Sequence, residues 1–411
     1  MALTSRSPGP SRPVYVTGAG LVSAAGAGVP AAWDKIAQGR PLTQPVRHFD
    51  IKGCACQVAA QVDDDALLAA PRRAQWPRFV RLGHTALDAA LVQAGLRGAG
   101  QRCLDSELPL WCSTTGGGTE YGEACVTRAR AGRRGGIVAS ALRYQAQYLP
   151  YALQETYGLH GAAANLSNAC ASGADVIGHA ASIIASGRAE RIAAGGAEAL
   201  SALLFHGFSC LRSLSPTTCR PFSLSRDGLW LGEGAAFVVL ESESEVLRRN
   251  ATPLARLAGY GQATDLHHLT HPHPEGRALE QALRQALAQA QVAPEEVAYL
   301  NAHGTATPAN DEAEMHAYER VFGPHLSNVG ISSIKNITGH TLGAAGAIEV
   351  VLTIEALRRA APLPAATIDD PLPNLAASLA QSRAPRTTGR AFVTTNAGFG
   401  GANAALVFLP A

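Results

Sequence analysis

Cys170 is the side chain with the clearest capacity for covalent chemistry. It lies in residues 165–174, NLSNACASGA, where a polar segment gives way to small residues. The dipole and free N–H groups at a helix N-terminus favour a thiolate, the form that attacks a carbonyl carbon. The alternative is a buried structural cysteine, because free cysteine is among the most buried residue types. A helix just after the cysteine is predicted by apolar residues at helical spacing, which are Val176, Ile177, Ala180, Ile183 and Ile184.

Two later segments each place a histidine among glycines at the end of a predicted strand. Residues 301–308, NAHGTATP, carry His303, and residues 332–346, SSIKNITGHTLGAAG, carry His340. Loops held by rigid strands are where catalytic groups concentrate. A single histidine is more often structural, but two in such settings, together with the cysteine, favour one shared active site.

These three segments, together with residues 220–235 and 396–403, resemble the motifs of the elongating β-ketoacyl-acyl carrier protein synthases of type II fatty acid synthesis. That family belongs to the thiolase superfamily. The resemblance runs from about Val14 to Leu409, and its five motifs stand in the family's order. It implies an α/β, thiolase-like fold of five layers, α-β-α-β-α, built from two similar halves. We predict an N-terminal half over residues 1–253 with the cysteine, and a C-terminal half over residues 254–411 with both histidines.

The resemblance also implies a chemistry, a decarboxylative Claisen condensation. Cys170 would hold the acyl chain as a thioester, and neutral His303 and His340 would stabilise the enolate that forms when CO2 leaves. One such preorganised donor contributes on the order of 3 kcal/mol. Related enzymes that start from coenzyme A esters carry Asn in place of His340, so the pair of histidines indicates elongation of carrier-bound chains.

The glycine-rich loop near the C-terminus completes the expected oxyanion and gate region. The resemblance places the backbone amides of Cys170 and Phe399 in the oxyanion hole. Gly398 and Gly400 would let the backbone approach the thioester, because glycine tolerates conformations and distances that other residues do not.

Lys335 is unusual because lysine otherwise occurs only at positions 35 and 52, among 34 Lys and Arg residues. The resemblance implies that it pairs with Glu349 and supports the site electrostatically. A purely structural ion pair is the alternative, since an unpaired carboxylate in the apolar segment around Glu349 would be costly to bury. Asp311 and Glu314, which follow the His303 loop, are expected to orient the same network. A monovalent cation near Asn301, Glu349 and Asn396 occurs in some relatives and stays an open alternative.

The expected partner is acyl carrier protein in its acyl and malonyl forms. Such carriers are acidic, and arginines cluster in two segments, at positions 72, 73, 78 and 81 and at positions 128, 130, 133 and 134. The resemblance implies docking by Arg72, Arg73, Arg133 and Arg134, while an ordinary solvated surface is the alternative. Only 16% of residues are charged, below the roughly 25% typical of soluble domains. We therefore expect a covered surface, in a homodimer or in a heterodimer with a related condensing-enzyme subunit.

Composition excludes several other classes of protein. No apolar run reaches the roughly 18 residues of a membrane span, and a net charge of +2 argues against nucleic acid binding. The eight cysteines lack a disulfide framework spacing, so a cytoplasmic location is expected. Residues 17–23 lack the third glycine of a dinucleotide loop. The histidines at 267, 268, 271 and 273 form a cluster that could in principle bind zinc, but prolines break it up and no cysteine lies nearby, so it is interpreted as a polar surface or channel-mouth loop. No cofactor and no metal are therefore predicted.

The substrate is the least determined part of the prediction. The family's C-terminal glycine loop usually carries two phenylalanines, whereas this loop is one residue shorter and keeps only Phe399. The main hypothesis is a 3-oxoacyl-acyl carrier protein synthase of fatty acid elongation. The alternative is a ketosynthase of an aryl-polyene or polyketide pathway that works with a partner subunit. A non-catalytic scaffold subunit is a third hypothesis, which the presence of Cys170 disfavours.

Overall fold

The computed structural model describes residues 12–68, 76–98, 101–364, 370–373, 375 and 389–411. The β-strands within these residues are β1 (Val14–Ser23), β2 (Gly26–Ala27), β3 (Gln44–Pro45), β4 (Val58–Ala59), β5 (Leu110–Ser113), β6 (Ala163–Leu166), β7 (Arg191–Glu198), β8 (Gly234–Ser242), β9 (Ala255–Thr264), β10 (Val297–Asn301), β11 (Gly330–Ser332), β12 (Ala391–Ala397) and β13 (Ala402–Leu409). The α-helices there are α1 (Val29–Ile36), α2 (Arg78–Gln93), α3 (Thr119–Arg130), α4 (Ile137–Tyr144), α5 (Tyr148–Tyr157), α6 (Ser172–Ala185), α7 (Ala202–Cys210), α8 (Glu243–Arg249), α9 (Arg277–Ala290), α10 (Pro308–Phe322), α11 (Lys335–Thr338) and α12 (Ala345–Arg358).

The strand order repeats within the chain. The main sheet of the described residues runs β11-β10-β12-β13-β9-β1-β8-β7-β5-β6. The centre of this sheet lies between β9 and β1. When the five main strands of each half are numbered in chain order, the strands met outward from this centre are the first, fifth, fourth, second and third in both halves. In both halves the first three strands of this series are antiparallel neighbours and the last three are parallel neighbours. The duplication is thus visible in the topology, while the boundary between residues 253 and 254 stays a prediction.

Three hydrophobic cores separate five layers. Helices α6 and α12 form the central layer, and their apolar side chains pack between the two groups of strands. Helices α2 and α5 cover the outer face of the first group, and α9 and α10 cover the outer face of the second. This is the predicted α-β-α-β-α architecture.

Glycines let helices lie directly on the sheet in both halves. A Cβ at Gly20 in β1 would stand 1.9 Å from the carbonyl oxygen of Ala86 in α2. A Cβ at Gly261 in β9 would stand 2.0 Å from the carbonyl oxygen of Ala282 in α9. No real Cβ tolerates such a distance, so the glycine-rich end of β1 serves helix packing. This packing role accounts for the glycines of residues 17–23, which match a dinucleotide loop only in part.

The two central helices cross with their backbones in contact. A Cβ at Gly173 of α6 would lie 2.5 Å from the backbone nitrogen of Ala347, and one at Gly346 would lie 2.4 Å from that of Ala174. Helix α6 begins two residues after Cys170, and α12 begins five residues after His340. The crossing therefore sets the separation of the two loops that carry the predicted chemistry.

Several local expectations can be compared with the structure. The apolar spacing in residues 279–287 predicts a helix, and α9 buries that face and carries the expected Glu280–Arg284 ion pair at 3.0 Å. All eight cysteines are free thiols. Among the described residues, no helix has the length and apolar character required to cross a membrane.

Candidate active site

Cys170 lies in the turn between β6 and α6. The preceding Ala169 has a left-handed φ of 47°, a strained conformation that costs on the order of 1–3 kcal/mol and is typical of functional sites. The hydroxyl of Ser172 accepts a hydrogen bond from the backbone N–H of Asn168 at 2.6 Å and so closes the turn. Cys170 is therefore held at the start of a buried helix, with 7% of its surface exposed.

The protonation state of Cys170 differs from the expectation. Burial raises the pKa of the thiol to about 12, because a thiolate would lose its hydration. The charge of Lys335 and a hydrogen bond from the backbone of Phe399 act in the opposite direction but are smaller effects. Burial therefore acts against the thiolate that the helix N-terminus favours.

The C-terminal glycine loop brings a backbone amide to the sulfur. The backbone N–H of Phe399 lies near the sulfur of Cys170 and lowers the pKa of the thiol, an effect smaller than that of burial. A Cβ at Gly398 would lie 3.0 Å from the backbone nitrogen of Cys170, so a side chain there would crowd the turn. The N–H of Gly400 donates to the carbonyl of Leu269 at 2.8 Å, which anchors the loop from outside.

His303 and His340 face each other in the same buried region. Their ring centroids are 5.2 Å apart with an interplanar angle of 83°. The Nδ1 of His340 accepts a hydrogen bond from the backbone N–H of Leu342 at 3.3 Å, so its neutral ring carries the proton on Nε2. The Nδ1 of His303 has no hydrogen-bond partner among the described residues. Burial, and then the charge of Lys335, lower the pKa of both imidazoles well below the usual range, so both are neutral at pH 7.

Two carboxylates of α10 hold the loop of His303. Glu314 accepts the backbone N–H of His303 at 2.9 Å and that of Gly304 at 2.6 Å. Asp311 accepts the backbone N–H of Ala306 at 3.1 Å. Burial raises the pKa of Glu314 to about 8 and that of Asp311 to about 6. Asp311 and Glu314 are both expected from the sequence to orient this network, and of the two it is Glu314 that contacts the backbone of the histidine itself.

Lys335 makes the ion pair that the resemblance implies. Its Nζ donates to the carboxylate of Glu349 and, at 2.6 Å, to the backbone carbonyl of His303. Both side chains of the pair are almost completely buried. Burial raises the pKa of Glu349, although the Lys335 charge acts against it. The pair therefore places a fixed charge beside both imidazoles.

The polar groups behind this ion pair could hold a monovalent cation. The second carboxylate oxygen of Glu349 accepts from the side-chain amide of Asn396 at 2.6 Å. The side-chain oxygens of Asn301 and Asn396 are buried and have no hydrogen-bond partner among the described residues. Neutral amide oxygens beside a carboxylate are a donor set that suits a hard cation. These residues therefore fit a monovalent cation.

Glu198 was not found from the sequence. Its buried carboxylate, at the end of β7, accepts the backbone N–H of Thr115 at 2.7 Å, of Gly116 at 2.8 Å and of Gly343 at 3.0 Å. Gly343 follows His340 by three residues, so a residue of the first half positions a loop of the second. An acidic residue at the end of the small-residue strand 195–198 is the signal that could have identified it.

Cys170, His303 and His340 line one cavity of about 320 Å³. The ring of Phe208, on α7, stacks on Phe399 in this cavity with centroids 5.8 Å apart and an interplanar angle of 20°. Phe208 was also missed, since nothing in its local sequence connects it with the C-terminal loop. The cavity is also lined by the threonines at 305 and 307 and by residues of the histidine-rich loop 265–274.

The predicted docking arginines have different outcomes. Arg133 and Arg134 are exposed in the turn between α3 and α4. Arg72 and Arg73 lie outside the described residues. Arg78, placed in the same basic segment, is bound to buried Glu233 at 2.7 Å, with only 15% of its side chain exposed. Arg78 therefore stabilises the fold and is not part of a free basic surface.

Comparisons with known proteins agree with this geometry. The model of the β-ketoacyl synthase N-terminal domain matches residues 11–246, and that of the C-terminal domain matches residues 254–369. The 3-oxoacyl-[acyl-carrier-protein] synthase 2 of Coxiella burnetii is 32% identical and covers 96% of this chain and 98% of its own length. A structure of the ishigamide ketosynthase/chain length factor superposes with a TM-score of 0.86 at 27% identity, over 98% of this chain and 100% of that one. A type II polyketide acyl-carrier protein in complex with its ketosynthase bound to the hexaketide gives a TM-score of 0.84 at 26% identity, over 98% and 100%.

Proposed function

The chain belongs to the β-ketoacyl synthase family, and we propose that it condenses a Cys170-bound acyl chain with malonyl-acyl carrier protein. One observation carries the proposal: a buried thiol and two neutral imidazoles share one cavity. A nucleophile, an oxyanion hole and donors for an enolate are what a decarboxylative Claisen condensation requires.

In the first step the sulfur of Cys170 attacks the carbonyl carbon of an acyl thioester on the carrier. A bond from carbon to the cysteine sulfur forms, the bond to the carrier sulfur breaks, and the thiol proton passes to the departing carrier thiolate. The oxyanion of the tetrahedral intermediate is stabilised by the amides of Cys170 and Phe399. The Phe399 amide lies near the sulfur, in a position that suits this role.

In the second step malonyl thioester loses CO2, and the electron pair of the broken bond forms an enolate. The Nε2–H of His340, fixed by the Leu342 amide at Nδ1, donates to the enolate oxygen, and His303 supplies the second donor. The enolate carbon then attacks the acyl carbonyl on Cys170. The new carbon–carbon bond expels the cysteine thiolate, which takes up a proton, and leaves 3-oxoacyl-carrier protein.

Two pathways use this reaction. A role in fatty acid elongation is supported by the Coxiella burnetii relative. A polyketide or aryl-polyene role with a partner subunit is supported by the ketosynthase/chain length factor relative and by the loop that keeps a single phenylalanine. The enzyme works as a homodimer in the first case and as a heterodimer in the second. We place it in the cytoplasm, which suits eight free cysteines.

Mass spectrometry after incubation with acyl-carrier protein tests the proposal. The native protein should gain one acyl group on Cys170, and Cys170→Ala should gain none. An unmodified native protein would indicate a scaffold subunit and contradict the proposal. If Cys170 is acylated, comparing its acylation by saturated and by polyunsaturated acyl chains separates the two pathways.

A further inference from the structure

A second cysteine of the chain, Cys54, faces a histidine outside the condensation site. Its sulfur lies 3.3 Å from Nδ1 of His206, which is on α7. Among the described residues, the hydrogen bonds of other cysteine side chains go to backbone carbonyls, as at Cys56, Cys125 and Cys219. Cys54 and His206 therefore form a pair of nucleophile and base that the proposed reaction does not use.

A backbone carbonyl orients the imidazole of this pair. Nε2 of His206 lies 3.0 Å from the carbonyl oxygen of Asp50. A carbonyl oxygen only accepts hydrogen bonds, so Nε2 carries the proton of the neutral ring and Nδ1 presents its lone pair to the thiol of Cys54. A nucleophile, a base within reach of it and a third group that orients the base are the parts of an activated cysteine.

The segment that carries Cys54 is fixed against α7. The backbone N–H of Cys54 donates to the carbonyl of Ile51 at 3.0 Å, and its own carbonyl accepts from the side-chain amide of Gln57 at 2.6 Å. The ring of Phe49 packs on that of Phe205, with centroids 5.8 Å apart. The sulfur and the imidazole are therefore held together by contacts on both sides of the pair.

The surroundings of Cys54 indicate the size of its reaction partner. Cys54 does not line the cavity of Cys170, so an acyl arm bound in that cavity does not reach it. The residue is 7% exposed, whereas its neighbours Gly53 and Ala55 are exposed to solvent. A narrow opening beside a solvated segment admits a small reagent dissolved in water and excludes a large one. A hydroperoxide is such a reagent, and cysteine thiolates react with peroxides to give sulfenic acids.

We propose that Cys54 is a modification site, at which His206 is the base and a hydroperoxide is the oxidant. Nδ1 of His206 takes the thiol proton, and the sulfur attacks the terminal oxygen of the hydroperoxide. A sulfur–oxygen bond forms and the oxygen–oxygen bond breaks. The departing oxygen anion takes the proton from the imidazolium and leaves as water or an alcohol. The sulfur is oxidised to a sulfenic acid while the peroxide is reduced, so no further reactant is required.

Timed exposure of the folded protein to hydrogen peroxide tests the site. Catalase ends each exposure, the chain is unfolded in denaturant that contains dimedone, and mass spectrometry of its peptides gives the fraction of sulfenic acid at each cysteine. In the native protein Cys54 should be oxidised faster than Cys210, although Cys210 is exposed and Cys54 is buried. His206→Gln should slow oxidation of Cys54 by about 100-fold, the lower end of what a positioned base contributes. Cys210, four residues further along α7, should keep its native rate in that variant.

Two further variants separate base catalysis from packing and from the condensation site. Phe49→Leu loosens the ring contact but keeps the pair, and it should leave the oxidation rate of Cys54 within about twofold of native, as core swaps of similar volume are tolerated best. Cys170→Ala should also keep that rate, so the result does not depend on the proposed function. Oxidation of Cys54 slower than that of Cys210 in the native protein would overturn the proposal. A native rate in His206→Gln, or an equal loss in Phe49→Leu, would overturn the assignment of His206 as the base.

Discussion

The two halves of the chain share one strand order but carry different chemistry at corresponding places. In each half the third main strand, β6 or β11, leads through a loop to a central helix. The loop of the first half holds Cys170 and that of the second half holds His340. Each loop contains one residue other than glycine with a left-handed φ, 47° at Ala169 and 46° at Leu342. The comparison shows that the architecture provides two equivalent positions, and the side chain at each position decides its role.

The halves differ more strongly in their electrostatics. Asp175, on α6, receives hydrogen bonds from Asn168 and, at 2.8 Å, from Tyr260, all neutral donors. Glu349, on α12, is paired with Lys335. The buried positive charge of Lys335 therefore lies in the second half, where burial and then this charge lower the pKa of His303 and His340. The second half is specialised to keep its histidines neutral, and the first to hold a nucleophile.

Removing either histidine should have a large effect on one step only, and this separates the roles of the two halves. His303→Ala or His340→Ala should lower malonyl decarboxylation by about 100- to 1000-fold, the usual cost of losing a preorganised donor. Acyl loading of Cys170 should fall much less. Release of CO2 from malonyl-carrier protein and mass spectrometry of acyl-Cys170 measure the two steps. Equal losses in both would show that the halves do not divide the work.

Cys170→Ala is the corresponding variant in the first half of the chain. It should abolish acyl loading and condensation while CO2 release from malonyl-carrier protein continues. A loss of decarboxylation as deep as that of the histidine variants would contradict the division of roles.

A smaller effect is expected where the two halves touch. Gly173→Ala should lower the free energy of unfolding by about 1–3 kcal/mol, since its Cβ would meet the backbone of α12 at 2.5 Å. Gly207→Ala is the control, because nothing lies within 4 Å of a Cβ at that position, and alanine there favours the helix. Thermal unfolding measures both. Equal melting temperatures would show that α6 and α12 are further apart than described.

Charge reversal in the exposed turn between α3 and α4 should affect only the delivery of substrate by carrier protein. Arg133→Glu together with Arg134→Glu should raise the KM for carrier protein severalfold, with a weaker dependence on salt, because rim charges act mainly on association. Acylation by a soluble acyl-pantetheine serves as the control and should stay at the native rate. An unchanged KM for carrier protein would remove these arginines from the docking surface.

The smallest expected effect is the absence of a pH response. An imidazole with the usual pKa of about 6.5 would be roughly three-quarters protonated at pH 6. Because the pKa values of His303 and His340 are lowered, decarboxylation should change little between pH 8 and pH 6. A fall centred near pH 6.5 would show that the imidazoles are not neutralised by burial and by Lys335.

The same two histidines make the free energy of unfolding depend on pH, although the reaction rate does not. The unfolded chain takes up these protons near pH 6.5 and the folded chain does not. The two histidines therefore lower the free energy of unfolding as the pH falls below about 6.5.

The sequence was informative where function depends on local pattern. Cys170 before a helix, the two histidines after strands, and the face of α9 could be predicted, because spacing and glycine content are local properties. Glu198 could not, since its three amide donors come from two separate segments of the chain. The raised pKa of Cys170 was missed for a related reason: the helix N-terminus is visible in sequence, whereas the depth of burial is a result of the whole fold.

The contact of α6 with α12 through bare backbone separates reaction from substrate choice. Because main chain meets main chain at Gly173 and Gly346, the spacing between the helices that follow Cys170 and His340 is not set by side chains packed between them. The surfaces proposed to meet the acyl chain and the carrier, on α7, in the histidine loop and in the α3–α4 turn, lie elsewhere. New specificities can thus be tried by substitution there, while the distance over which the new carbon–carbon bond forms is kept.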